Sequence, residues 1–208
     1  MLLDILIITL ISIIKEKTVL IDLTLKIKKE MVKIASENEM KVLFGHIGTH
    51  FDVMNKTFPL NYTRRKGIVF DISDIQDREI DISDIQLDDV KRDMCVLFFS
   101  GFIEKEGYGK PGYFHNHPQL SNNLIKELVN KEISIIGIDF AGVRRGIEHV
   151  KADQYCADNN VFVVENLCNI KKLISEMNKD KKRELFINTY PMSYENLTGL
   201  PCRVIAEL

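Results

Sequence analysis

Three short apolar runs constrain the fold more than any other feature of this 208-residue chain. Met94–Ser100, Ile133–Asp139 and Val161–Glu165 are almost continuously apolar instead of alternating with polar residues. Strands that read this way are covered on both faces, so the runs predict a sheet with packed layers on either side. Helical patterns follow them. Ser121 is placed as an N-cap for a helix whose Leu124, Ile125, Leu128 and Val129 share one face. Ile170, Leu173, Ile174 and Met177 repeat the i, i+3, i+4, i+7 spacing of a second amphipathic helix. Further strands are expected at Thr18–Leu25, Lys41–Asp52, Gly67–Ile72, Leu185–Thr189 and Arg203–Leu208. Strands dominate the first half of the chain and strand–helix alternation the second. The expected fold is a single α/β domain with a mixed β-sheet flanked by helices.

Hydrophobic residues make up 45% of the chain, enough for one sizeable core, and no Pro/Gly/Ser-rich linker divides it. The domain is expected over 18–208, preceded by an apolar extension, 1–17. That extension, MLLDILIITLISII and the residues after it, is too short to span a bilayer comfortably as a helix. It also lacks the basic start and cleavage site of a signal peptide. It is read as an extra strand or helix packing on the domain or on a partner; a mis-assigned start codon and a membrane anchor are the competing readings. A net charge of −2 with scattered Lys and Arg gives no nucleic-acid surface. The partners expected are a small molecule and a second copy of the chain. Cys95, Cys156, Cys168 and Cys202 have no zinc-knuckle or redox spacing, which fits buried reduced thiols in a cytoplasmic protein. The repeated DISDIQ at 71–76 and 81–86 is isolated, and is read as two polar-alternating segments joined by a turn around Asp77–Arg78.

Chemistry concentrates in HIGTHFD, residues 46–52. His46, His50 and Asp52 are four and two residues apart, so on a strand all three share one face, with Gly48 leaving that face clear. On a helix the two histidines would share a face as well; the β-branched and Gly content favours the strand. Two imidazoles and a carboxylate suit zinc or a similar divalent ion, although two ordinary histidines beside an ordinary aspartate make the same short pattern. Glu165 closes a fully apolar run, where a carboxylate is costly unless paired or metal-bound. It is a second candidate ligand, with a salt bridge or a helix-cap partner as the plainer alternative. Asp153 lies twelve residues earlier, on the helix leading into that strand. His115 and His117 occupy a Gly/Pro-rich loop that either lines a site or simply sets a helix entry.

HIGTHFD resembles the His-x-Gly-Thr-His-x-Asp motif of the cyclase family, which includes bacterial kynurenine formamidase. The resemblance extends through Ile21-Asp22-Leu23-Thr24, CVLFFSGF at 95–102, HPQLS at 117–121, IIGIDF at 135–140 and VFVVENLCNI at 161–170, in the family's order. It implies a swivelling β/β/α-type fold, a homodimer or higher oligomer, and one or two divalent ions, zinc or manganese. The implied ligands are His46, His50 and Asp52, with Asp52 bridging to a second ion held by Glu165 and by a later His. Asp153 stands where that His is expected, and His149, one helical turn earlier, is the substitute. The family continues Asp-Ala-Pro-x-His, the last His serving as acid/base. Here Lys56 takes that place, and the pocket-forming Pro/Gly-rich opening loop is lacking.

Together these readings predict a metal-dependent hydrolase in which a divalent ion activates water against a small amide, formamide or cyclic amide, such as the aromatic formamide of tryptophan catabolism. Lys56 carries the proton if it is buried beside the metal. The rival reading is a non-catalytic metal- or ligand-binding member, motivated by Lys56 in place of histidine. A lyase or isomerase on the same scaffold is a third.

Overall fold

The computed structural model describes residues 18–28, 43–180 and 184–208. The apolar extension at 1–17 and residues 41–42 of the long strand expected at 41–52 lie outside them. Among the described residues, eight strands form one mixed sheet: β1 (Leu20–Asp22), β2 (His50–Asp52), β3 (Arg64–Asp71), β4 (Cys95–Phe99), β5 (Ile135–Ile138), β6 (Phe162–Glu165), β7 (Phe186–Pro191) and β8 (Gly199–Glu207). Their order is β1-β8-β2-β6-β5-β4-β3-β7, and β7 also pairs with β8. That last pairing closes seven strands into a barrel, with β1 lying along β8 outside the ring. β3, β4, β5 and β6 run parallel, and antiparallel pairings with β2, β7 and β8 complete the circle.

The apolar runs become β4, β5 and β6, buried throughout. Their side chains separate into two clusters, as strand alternation requires. Phe51, Leu97, Phe99, Ile135, Phe162 and Val164 face the interior with Ile187 and Val204. Val96, Phe98, Ile136, Ile138 and Val163 face outward. Two helices cover that outer face. One is Asn122–Asn130, which buries Leu124, Ile125, Leu128 and Val129, with the Ser121 hydroxyl accepting from Leu124 N at 3.0 Å. The other is His149–Asp158, which contributes Ala152 and Cys156. A further helix, Ile170–Lys179, joins the inner cluster through Ile170 and Leu173. Among the described residues, no helix is long and apolar enough to cross a membrane. Cys95, Cys156 and Cys202 are buried, Cys168 is partly buried, and all four are free thiols.

Two expectations need correction. The described part of the strand expected at 41–52 is a helical turn, Leu43–His46, followed by a bend and only three strand residues. Gly48 sits at φ +70°, a left-handed conformation that interrupts an extended chain. The two DISDIQ copies are not alike. Asp71 ends β3 and accepts from Ser73 N and Oγ, whereas Asp81 caps a 3-10 turn at Ile82–Asp84. The Ser121 hydroxyl donates to Asp81 at 2.6 Å, a tertiary contact that the first copy has no counterpart for.

Candidate metal centre

At the carboxyl end of β6 the outward face carries a carboxylate in place of an apolar side chain. The antiparallel register sets His50 of β2 opposite Glu165 of β6 and Asp52 opposite Val163, so His50, Asp52 and Glu165 share the outward face. A one-residue slip would turn all of β2's ligands into the core. His46 arrives from the helical turn before the Gly48 bend, not from the strand, yet its Nε2 lies 3.2 Å from Asp52 Oδ1. The helix at His149–Asp158 lies across the same end of the sheet, and its His149 and Asp153, four residues apart, share one face. His149 Nε2 is 3.1 Å from Asp153 Oδ2 and 3.3 Å from Glu165 Oε1, and His50 Nε2 is 3.6 Å from Glu165 Oε2. Two glycines make room for the rings. A Cβ at Gly199 would fall 2.6 Å from the His46 ring, and one at Gly142 would fall 2.8 Å from the His149 ring.

Six side chains thus converge: five form two overlapping triads, His46, His50 and Asp52, and Asp52, His149 and Asp153, and Glu165 adjoins them through His50 and His149. Within each triad the donor atoms lie within 4.8 Å of one another. Asp52 belongs to both, the placement of a carboxylate that could bridge two ions. Asp52 Oδ2, Asp153 Oδ1 and Glu165 Oε1 are buried with no hydrogen-bond donor aligned to them; the approach of His149 to Glu165 Oε1 is an ion-pair contact without hydrogen-bond geometry. Three such oxygens in one pocket are expensive unless a cation completes them. Oxygen and imidazole donors in this number fit a divalent ion of the zinc or manganese type.

The electrostatics of the cluster without a cation carry the same tension. Burial pushes Asp153 up, the neighbouring Asp52 and Glu165 charges add to this, and it reaches about 7. Burial and the Asp52 charge raise Glu165 as well. Burial works against charge on His50, but Asp52 and Glu165 outweigh it and lift the ring to about 9. For His149, Asp153 and Glu165 overcome burial and lift it to about 11. Asp52 is held well below the carboxylate range, because His50 and His46 offset its burial. Without a cation, the shifts of His50, His149, Asp153 and Glu165 all favour the protonated form, and only Asp52 is held as a carboxylate.

The remaining candidates lie elsewhere. Lys56 is not brought into the cluster: its Nζ is 2.7 Å from Asp158 Oδ1, with the side chain 37% exposed. An acceptor on the helix surface keeps the ammonium solvated, whereas a proton-carrying lysine would have to be buried beside the metal. His115 is exposed at the end of the short helix Pro111–His115. His117 is buried and stacked on Phe140, with Nδ1 2.8 Å from Pro118 O, and burial pushes it down to about 4. Neither belongs to the two triads.

Several residues that hold the ligands were not singled out from the sequence. Thr49 Oγ1 donates to Asn166 O and accepts from Leu25 N, both at 2.8 Å. Gly48 N donates to the Tyr108 hydroxyl at 2.9 Å. Asn166, buried, donates to the Gly48 carbonyl of the same bend, and the buried Tyr113 donates to Asn166. Asn166 follows a candidate ligand directly, which is the one hint the sequence offered; Tyr108 and Tyr113 have no spacing that would mark them.

A family model described as "Putative cyclase" matches residues 21–145, a span that contains His46, His50 and Asp52. No curated protein matches the chain. Among solved structures, one described as a potential metal-dependent hydrolase with cyclase activity superposes with TM-score 0.68 at 22% identity, covering 91% of this chain and 98% of its own. A predicted metal-dependent hydrolase from Bacillus stearothermophilus gives 0.67 at 18%, covering 92% and 99%. Isatin hydrolase A from Ralstonia solanacearum gives 0.69 at 15%, covering 98% and 97%. At these identities the likeness is one of fold.

Proposed function

The chain belongs to the cyclase family, and we propose that it is a metal-dependent hydrolase of that family, cleaving a small amide, formamide or cyclic amide. The observation that carries this reading is the pair of triads sharing Asp52, with three buried carboxylate oxygens that lack donors. The isatin hydrolase among its structural neighbours, named for a cyclic amide, supports that end of the substrate range. An aryl formamide of the kynurenine type belongs to the same range. His46, His50 and Asp52 would hold one ion, and Asp52, His149, Asp153 and Glu165 a second.

A divalent cation held there supplies Lewis acidity, which polarises a carbonyl oxygen and makes water acidic enough to attack near neutral pH. The chain sets the approach. His50, Asp52, Asp153 and Glu165 form a buried floor, whereas the side chains of His46 and His149 are 22% and 33% exposed and form the mouth. A substrate carbonyl reaches the floor between those two rings. Hydrolysis must also move a proton from water to the leaving nitrogen. With Nζ engaged by Asp158 at the surface, Lys56 takes no part in that step on this reading.

The placement of Lys56 also favours a second reading, a family member that binds metal or ligand without hydrolysing it. The two separate in one experiment. The protein loaded with Zn²⁺ or Mn²⁺ is offered N-formyl arylamines and cyclic amides, and release of the carboxylic acid is followed. Turnover that disappears in Asp52→Asn supports the hydrolase; bound metal with no turnover on any member supports the binding protein.

The chain is further read as a homodimer. Leu60, Tyr190, Met192 and Tyr194 are exposed apolar residues grouped around one cleft of about 1080 Å³, beside the β7–β8 connection. A patch of this kind supports association with a second copy.

A further inference from the structure

The His50 ring is held by more than the cluster. Its Nδ1 lies 2.9 Å from Gly48 O, the geometry of a ring N–H donating to a carbonyl, and this turns Nε2 toward Asp52 and Glu165. The same Gly48 carbonyl accepts a second hydrogen bond, from Asn166 Nδ2 at 2.9 Å. Asn166 Oδ1 in turn accepts from the Tyr113 hydroxyl at 2.6 Å. Every link of this relay is buried.

Asn166 is fixed on all sides. Its backbone O accepts from Thr49 Oγ1 at 2.8 Å, its N donates to Phe140 O at 3.2 Å, and its φ is +59°, a region asparagine tolerates better than most residues. An aspartate here would set a carboxylate oxygen against Gly48 O in place of the donor. Packing alone does not account for Tyr113, since phenylalanine would fill the same aromatic contacts with Phe102, Tyr108 and Phe114 without burying a hydroxyl. The helix that carries Tyr113 contributes no member of the two triads, and the relay is what links it to the site.

We propose that Tyr113 and Asn166 are positioning residues for the metal centre: Tyr113 orients the Asn166 amide, Asn166 aims the Gly48 carbonyl, and that carbonyl fixes His50 with its proton on Nδ1 and its Nε2 lone pair toward the ion. The inference rests on the metal reading given above. Hydrogen bonds of this kind to a ligating histidine fix its tautomer and ring orientation, and their loss weakens metal binding about 10–100-fold.

The test measures Zn²⁺ affinity by chelator competition in the wild type, Asn166→Ala and Tyr113→Phe, together with exchange protection of the His50 Nδ1 proton by NMR, with and without Zn²⁺. Asn166→Ala is expected to weaken binding about 10–100-fold, with a smaller loss in the same direction for Tyr113→Phe. Both variants should lose protection of the Nδ1 proton, which a purely structural role would leave in place. Wild-type affinity and an unchanged Nδ1 proton in Tyr113→Phe and Asn166→Ala overturn the proposal. Should Asn166→Ala fail to fold, Tyr113→Phe decides, because it removes one hydroxyl and keeps the ring. A wild type that takes up no Zn²⁺ overturns the metal reading instead, and the Nδ1 proton of the metal-free protein still decides whether the relay holds the ring.

Discussion

Loading the centre with a divalent ion must expel protons, and the cluster sets how many. At pH 7 the metal-free protein holds His50, lifted to about 9, and His149, lifted to about 11, as imidazolium cations, while burial and the neighbouring carboxylates raise Asp153 toward its protonated form. A nitrogen ligand must be neutral to bind. An ion taken by His46, His50 and Asp52 therefore displaces one proton from His50. An ion taken by Asp52, His149 and Asp153 displaces one from His149 and a further share from Asp153, whose affinity for a proton burial raises. Removing the His50 proton about two units below its pKa costs about 2.7 kcal/mol, or about 100-fold in apparent affinity at pH 7. As pH rises from 6 to 8 that cost falls, so affinity for the first ion should increase about tenfold per unit, and affinity for the second more steeply. Titration calorimetry with Mn²⁺ in buffers of different ionisation enthalpy counts the protons directly. Heats independent of buffer, with affinity flat across this range, would refute the protonated cluster and the ligand assignment built on it.

Three further outcomes follow from the same geometry. Lys56→Ala should leave stability in chemical denaturation almost unchanged, because its pair with Asp158 is exposed; it should leave turnover on a confirmed substrate unchanged, and abolished turnover with intact metal content would restore Lys56 to the reaction. Gly199→Ala places a methyl 2.6 Å from the His46 ring, so it should destabilise the fold by about 1–3 kcal/mol and weaken binding at the His46 triad more than at the His149 triad, as metal titration would show. Light scattering should return the mass of a dimer, and the mass of one chain at micromolar concentration would sink that assignment.

Much of the sheet was legible because its central strands are buried on both faces: β4, β5 and β6 advertise themselves as apolar runs. Ser121 and the buried face behind it were legible for a local reason, a side-chain cap followed by helical spacing. Closure of the barrel was not, since the β7–β8 pairing depends on register between segments whose alternation says nothing about partners. The shared face of His50 and Asp52 followed from their two-residue spacing on β2, whereas His46 reaches them by a backbone that the strand spacing did not foresee. Gly48 breaks the strand, and the bend it forms brings His46 back over Asp52. Glu165 showed itself as a carboxylate ending an apolar strand. The pairing of His149 with Asp153 depends on a helix face, and four-residue spacing makes that visible once the helix is placed. Asn166 and Tyr113 act through single hydrogen bonds between distant segments, for which a linear sequence has no periodic signal.

Asp52 belongs to both candidate triads and would serve two ions. Metal analysis of the purified protein, after equilibration with Zn²⁺ or Mn²⁺ and removal of excess, tests it in the wild type and in Asp52→Asn. The account predicts about two ions per chain in the wild type and fewer than one in the folded variant, because one substitution removes a ligand from both triads. A wild type that retains no metal, or an Asp52→Asn variant that retains the full complement, would contradict it.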